Sequence, residues 1–274
     1  MMKFSMLMLV FGLFECPVWA LDLAAHHGDL QVKTASGKSS TWSVEKLNAQ
    51  LGTSVLEAQD RYDGHKKKRF VGYKLKDLVS LLEIPKDWPA EDTEISFQCA
   101  DGYQPTLPLS WLSEGEALLA HGIEGKSEWD PITQGKAQLS PGPFYLVWNK
   151  SEERLPSPYQ VVAITAVSFR EKFAAIFPKD YNGRGTAARG LQVFKEHCLR
   201  CHSINLVGGD LGPELNIPQN ITEYRDMNQL MKFIRDPSSF RARSKMPSFD
   251  FLPKGAIDDV MVYLRKMRDS KRKT

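Results

Sequence analysis

The stretch Cys198-Leu199-Arg200-Cys201-His202 decides how this chain reads. Its order, C-x-x-C-H, is that of a covalent attachment site for a c-type haem. The chemistry needs that order. Two thiols add to the two vinyl groups of the porphyrin, and the adjacent imidazole lies against the iron as an axial ligand. Two other uses of paired cysteines compete with this one. A structural zinc site needs a second Cys/His cluster, and the sequence has none to offer. A thiol redox pair of the thioredoxin kind needs a βαβ setting, and none is legible around residue 198.

On the N-terminal side of the motif, Ala187, Leu191, Phe194 and Cys198 recur at helical spacing, so one apolar face leads straight into it. Thr186 stands where it can cap that helix. Downstream, residues 205–220 read as a loop and Ile221 to Arg235 as a helix. A second loop, 238–253, contains Lys245-Met246-Pro247. The last helix is expected from about Gly255 to Arg268, with Ile257, Val260, Met261 and Leu264 on one face.

A second axial ligand is expected from the same region. Its methionines are Met227, Met231, Met246, Met261 and Met267. All but Met246 fall in predicted helices, where methionine is ordinarily a core residue. Met246 lies in a loop stiffened by the proline after it. The reading therefore takes His202 and Met246 as the metal ligands, with Cys198 and Cys201 holding the haem. An iron with both axial positions filled has no open site for substrate. Phe194, Leu206, Leu211, Phe249 and Phe251 are expected to form an apolar shell around it.

Gly190, Phe194, the Cys198–His202 motif, Gly212-Pro213 with Leu215, Met246-Pro247 and Tyr263-Leu264 together resemble class I c-type cytochromes. The resemblance covers the C-terminal third. It implies a three-helix fold around one haem, with Tyr263 packed against the first helix near Gly190. It also implies that the Pro213 carbonyl accepts a hydrogen bond from the His202 ring, a contact that tunes ligand basicity.

The first twenty residues read as an export signal. Lys3 is the basic region, Phe4 to Phe14 the apolar run, and Val18-Trp19-Ala20 the cleavage site, giving a mature start at Leu21. No other stretch is long and apolar enough to span a bilayer. A periplasmic location is expected, with no integral membrane segment after cleavage. Cys16 leaves with the signal, so Cys99 is the one cysteine not claimed by the haem.

The mature chain divides by charge and punctuation. Residues 21–177 are expected to form an α+β domain, 178–185 a polar linker, and 186–274 an all-α cytochrome domain with one haem. From Leu21 to Gly185 there are 19 basic and 22 acidic residues, net −3, against 16 and 10 from Thr186 onward, net +6. The basic run Arg265 to Lys273 reads as a solvated helix end. No nucleic-acid partner is indicated. Redox proteins are the expected partners.

In the N-terminal part, strands are expected at 30–34, 54–59, 70–73, 94–100, 117–120, 143–148 and 161–171, and helices at 43–50 and 75–82. Alternation in Ile95-Ser96-Phe97-Gln98-Cys99 points Cys99 inward with Ile95 and Phe97. The Lys66–Arg69 run reads as the surface of a hairpin, and His26-His27 as a solvated segment. Tyr73 to Leu82, Phe97 to Tyr103 with Leu107 to Leu112, and Gly142 to Val147 resemble the molybdopterin-binding domain of the sulfite oxidase family. On that resemblance Cys99 falls at the molybdenum-ligating position, a soft thiolate ligand. Asp101-Gly102-Tyr103 stands where that family has an arginine, so a cofactor-free version of the fold is the preferred reading.

Three functions follow. The first is an electron carrier rather than an enzyme, with an N-terminal domain that docks a partner or positions the haem. The second is a molybdenum oxidoreductase with its own cytochrome. The third is a haem sensor or peroxidase, which requires an open iron site.

Overall fold

A computed structural model describes residues 28–134, 137–152 and 154–272. The signal segment, Cys16 and His26-His27 lie outside the described residues. An α+β region is followed by a mostly helical one. In chain order the elements are β1 (Leu30–Lys33), β2 (Ser39–Trp42), α1 (Val44–Leu51), β3 (Ser54–Asp60), β4 (Lys66–Lys74), α2 (Leu75–Leu78), β5 (Thr93–Cys99), β6 (Thr106–Pro108) and β7 (Ala117–Ile123). There follow β8 (Ile132–Gln134), β9 (Ala137–Leu139), β10 (Tyr145–Trp148), β11 (Val161–Ser168) and α3 (Phe169–Lys172). The helical region holds α4 (Gly185–Val193), β12 (Ser203–Ile204), β13 (Val207–Gly208), α5 (Ile221–Tyr224), α6 (Met227–Arg235), α7 (Pro237–Phe240) and α8 (Ala256–Arg268).

Two larger sheets and the small β8–β9 ribbon form the N-terminal domain among the described residues. One has the order β2-β1-β11-β5-β6, the other β10-β7-β4-β3. Between them lies a core built from Leu30, Val32, Tyr73, Ile95, Phe97, Leu119, Phe144 and Ile164. Strand β5 is buried on both faces. Ile95, Phe97 and Cys99 point into that core, as their alternation requires, while Glu94 and Ser96 on the opposite face are also buried. The helical domain packs against this second face. A central strand carrying polar residues on one side is therefore covered by a neighbouring domain rather than by solvent.

The helical core begins before the polar segment 178–185. Phe169, Phe173 and Ile176 join Leu191, Phe194, Ile257, Tyr263 and Met267. Residues 169–176 thus pack with the second domain although they follow β11 without a break. Helix α4 crosses α8 at Gly190, where a Cβ would lie 2.0 Å from the Asp259 carbonyl oxygen. Only a glycine permits that approach.

Several local expectations are revised. Strands β2, β6, β8 and β9 are too short to announce themselves by periodicity. The expected strand at 161–171 stops at Ser168, whose side chain caps α3. Thr186 lies inside α4, which has Arg184 at its N-cap and no side-chain cap. The single helix expected over 221–235 is two, because Arg225 is extended and Asp226 caps α6 through the Gln229 N–H. Lys68 is not a surface lysine: its ammonium lies 2.9 Å from Asp60, 2.8 Å from Asp63 and 3.1 Å from Asp130. Among the described residues no helix is long and apolar enough to cross a membrane.

Candidate functional site

The approach to the motif is shaped by a turn of π-helix, Phe194–Cys198, closed by the Leu199 N–H to the Phe194 carbonyl at 2.8 Å. Such turns re-aim the side chains that follow a helix. Phe194 is fully buried, and its ring sits 5.2 Å from that of Tyr263. The Tyr263 hydroxyl donates to the Ile176 carbonyl at 2.8 Å, which fixes α8 against the start of the domain. Beyond the π turn, the N–H groups of Cys201 and His202 both bond the Cys198 carbonyl, at 3.0 and 2.9 Å.

The loop after His202 folds back over the motif. Gly209 N–H bonds the Leu199 carbonyl at 2.9 Å, Gly212 N–H the Cys201 carbonyl at 2.7 Å, and Leu215 N–H the Ser203 carbonyl at 3.0 Å. A Cβ on Gly212 would lie 2.5 Å from His202 Cε1, and one on Gly209 would lie 2.3 Å from the Arg200 carbonyl oxygen. The His202 Nδ1 is 2.9 Å from the Pro213 carbonyl oxygen. A carbonyl only accepts, so Nδ1 carries the proton and Nε2 keeps its lone pair for a metal. Burial pushes the His202 pKa down, partly offset by the Pro213 contact, which keeps the ring neutral and ligand-ready.

Cys198, Cys201, His202 and Met246 all line one cavity of about 1000 Å³. Of the methionines considered from sequence, Met246 is the one on that wall. Met261 and Met267 are buried in the core, and Met227 and Met231 pack against it. Phe194, Leu211, Phe249, Leu252, Val260 and Leu264 make much of the lining apolar. Leu206 does not belong to the apolar shell expected for it: it is 68% exposed at the tip of the β12–β13 hairpin. Burial raises the Cys198 thiol to about 12 and the Cys201 thiol to about 11, so both are neutral. Two half-buried thiols, a neutral imidazole with a free Nε2 and a thioether on one largely apolar cavity fit haem c.

The N-terminal domain supplies the remaining wall. Arg61, Tyr62 and His65 come from the turn between β3 and β4, Asp101 and Tyr103 from the loop after β5, and Tyr159 from the approach to β11. The contact is direct at the motif. Gln104 N–H bonds the Arg200 carbonyl at 3.0 Å, and Arg200 Nη1 lies 3.4 Å from the Tyr103 hydroxyl. A Cβ on Gly102 would lie 2.0 Å from Asp210 Oδ1. Tyr62, Tyr103 and Arg200 gave no signal in sequence, because contacts between domains follow no local period.

Cys99 lies beneath this contact. It is 3% exposed, off the cavity wall, and its N–H bonds the Tyr103 carbonyl at 3.0 Å. Burial, with Asp101 and Cys201 nearby, pushes its thiol well above the ordinary value. An enclosed thiol off the cavity wall does not fit a molybdenum ligand, which must face space for the metal. Among the described residues no group of three or more His, Cys, Asp or Glu side chains is placed to hold a metal ion.

The family comparison falls on the helical region. Residues 187–268 match the family model "Cytochrome c", so a cytochrome c-family domain is present. The chain is also similar to cytochrome c oxidase subunit 2 of Alkalihalophilus pseudofirmus (strain ATCC BAA-2126 / JCM 17055 / OF4), 30% identical over 89 residues. That match covers 30% of this chain and 26% of the relative, so the chain spans about a quarter of that protein's length. The family match lies wholly outside the N-terminal domain and lends nothing to a molybdopterin-binding reading of it.

Proposed function

We propose that this protein is an exported, periplasmic monohaem cytochrome that moves single electrons between redox partner proteins. The observation that carries the proposal is the convergence of Cys198, Cys201, His202 and Met246 on one cavity. Bound there, haem c supplies a reversible one-electron Fe(III)/Fe(II) couple. Cys198 and Cys201 would hold it covalently. His202 would ligate through Nε2, oriented by the Pro213 carbonyl on Nδ1. Met246 would be the second protein ligand to the iron, leaving no coordination site for substrate. The apolar part of the lining would, together with the thioether, favour the less charged, reduced state.

The N-terminal domain acts on the same site. Its loops close the side of the cavity next to Arg200 and Cys201, so it serves as a haem-pocket wall as well as a surface for partners.

Metal analysis of the protein purified from the exported fraction tests the reading. One iron per chain without molybdenum, with a covalent haem retained on denaturation and an N-terminus at Leu21, is the expected result. Molybdenum at one per chain would overturn the electron-carrier reading in favour of the oxidoreductase.

A further inference from the structure

We propose that Glu214 is a positioning residue for the His202 imidazole, an inference that rests on His202 being the axial ligand. Its carboxylate accepts four backbone N–H groups. Asn205 donates at 2.9 Å and Leu206 at 2.8 Å, while Asn216 donates at 2.8 Å and Ile217 at 3.3 Å. The first two belong to successive left-handed residues, with φ of 55° at Asn205 and 64° at Leu206. Adjacent amides in such a turn form a concavity suited to an anion. Asparagine tolerates this conformation but leucine does not, so Leu206 must be held in it by its surroundings.

One carboxylate therefore joins the hairpin that follows His202 to the turn that follows Pro213. Pro213 immediately precedes Glu214, and its carbonyl is the one on His202 Nδ1. The far side of the same loop is tied down separately. Asn220 Nδ2 donates to Asn216 Oδ1 at 2.7 Å and to the Leu264 carbonyl at 2.9 Å. Asn216 Nδ2 donates to Asn205 Oδ1 at 2.8 Å, and Asn205 Nδ2 to the Ala175 and Ser270 carbonyls at 2.9 and 3.0 Å. The asparagine chain anchors the loop to the domain, and Glu214 sets where the Pro213 carbonyl points. A well-aimed acceptor on Nδ1 raises the basicity of the ligating nitrogen and favours the oxidised metal.

The test compares Glu214→Gln and Glu214→Asp in the full-length, haem-loaded protein. Glu214→Asp keeps the charge and loses the reach; Glu214→Gln keeps the reach and loses the charge and one acceptor. Both are expected to shift the redox equilibrium toward the reduced state by roughly threefold, which is ~30 mV for one electron. Both are also expected to change the haem-methyl paramagnetic shifts that report imidazole orientation. If Glu214→Gln shifts the potential while Glu214→Asp leaves potential and spectrum unchanged, the carboxylate acts through its field alone and the proposal fails. It fails equally if neither variant moves either readout. Should the variants not fold, the wild-type amides decide: Asn205, Leu206, Asn216 and Ile217 N–H must be protected from hydrogen exchange, and free exchange overturns the proposal. Absence of haem from the wild-type protein would sink the electron-carrier reading itself, a separate outcome.

Discussion

The Glu94 carboxylate and the Lys195 ammonium approach to 2.5 Å across the domain boundary. Glu94 is fully buried on the outer face of β5, while Lys195 lies in the π turn just before Cys198 and is 18% exposed. The Lys195 ammonium also sits 3.8 Å from the centre of the Phe169 ring. The N-terminal sheet is thereby fastened to the turn that aims the haem motif.

Removing the cation should cost more than removing the acid. Lys195→Met removes the one cation in ion-pair contact with a buried carboxylate among the described residues and is expected to lose about 3–5 kcal/mol of stability. Glu94→Gln leaves a lysine that can reach water and should lose less. The double variant should recover part of the loss. Denaturant melts of the four proteins check the order; equal losses in the two single variants would show that the pair is not the source.

A second lysine at the same junction gives the protein a pH dependence. Lys172 donates to the Ser96 hydroxyl at 2.7 Å. Burial lowers its pKa from 10.5 to about 8, with Glu94 pulling it up and Lys33 pulling it further down. Between those values the unfolded chain binds a proton that the folded one does not, so stability rises as pH rises from about 8 to 10.5. Below that window both states are protonated and the penalty is fully present. Lys172→Met should flatten the rise by on the order of 2 kcal/mol. The difference between wild-type and variant melts across the window measures it, and parallel curves would refute the assignment.

Much of the site was legible because its chemistry is local. The spacing of Cys198, Cys201 and His202 is the one that covalent haem attachment would need, and Met246-Pro247 stood out by lying outside any helical period. Gly190 and Gly212-Pro213 carried the family resemblance, and their close approaches to Asp259 and His202 give the physical reason for glycine. Glu214 was overlooked although it adjoins Pro213, because a carboxylate that caps backbone amides looks like any loop acid in sequence. The domain junction was illegible for a different reason. Glu94 and Ser96 alternate with apolar residues as on a solvated sheet face, and only the second domain turns that face inward. The 221–235 helix misled because Asp226 offers a stronger cap within the run than the apolar period suggests, and Thr186 because α4 begins before it, at Gly185, without a side-chain cap.

Gly212→Ala tests the contact between loop and imidazole. The added Cβ would meet His202 Cε1 at 2.5 Å and Nδ1 at 2.7 Å, so the ring or the loop must shift. Overpacking of this kind typically costs about 1–3 kcal/mol. A lower yield of haem-loaded protein and an altered Soret spectrum are expected. An unchanged spectrum and melting temperature would mean that the ring is free to move.

The most direct test of the account is carbon monoxide binding to the ferrous protein before and after Met246→Ala. Wild-type protein is predicted not to bind carbon monoxide, because His202 and Met246 would fill both axial positions, and the variant is predicted to bind it. Carbon monoxide binding by the wild type, or a variant that still refuses it, would contradict the assignment of Met246 and with it the closed, electron-carrying centre.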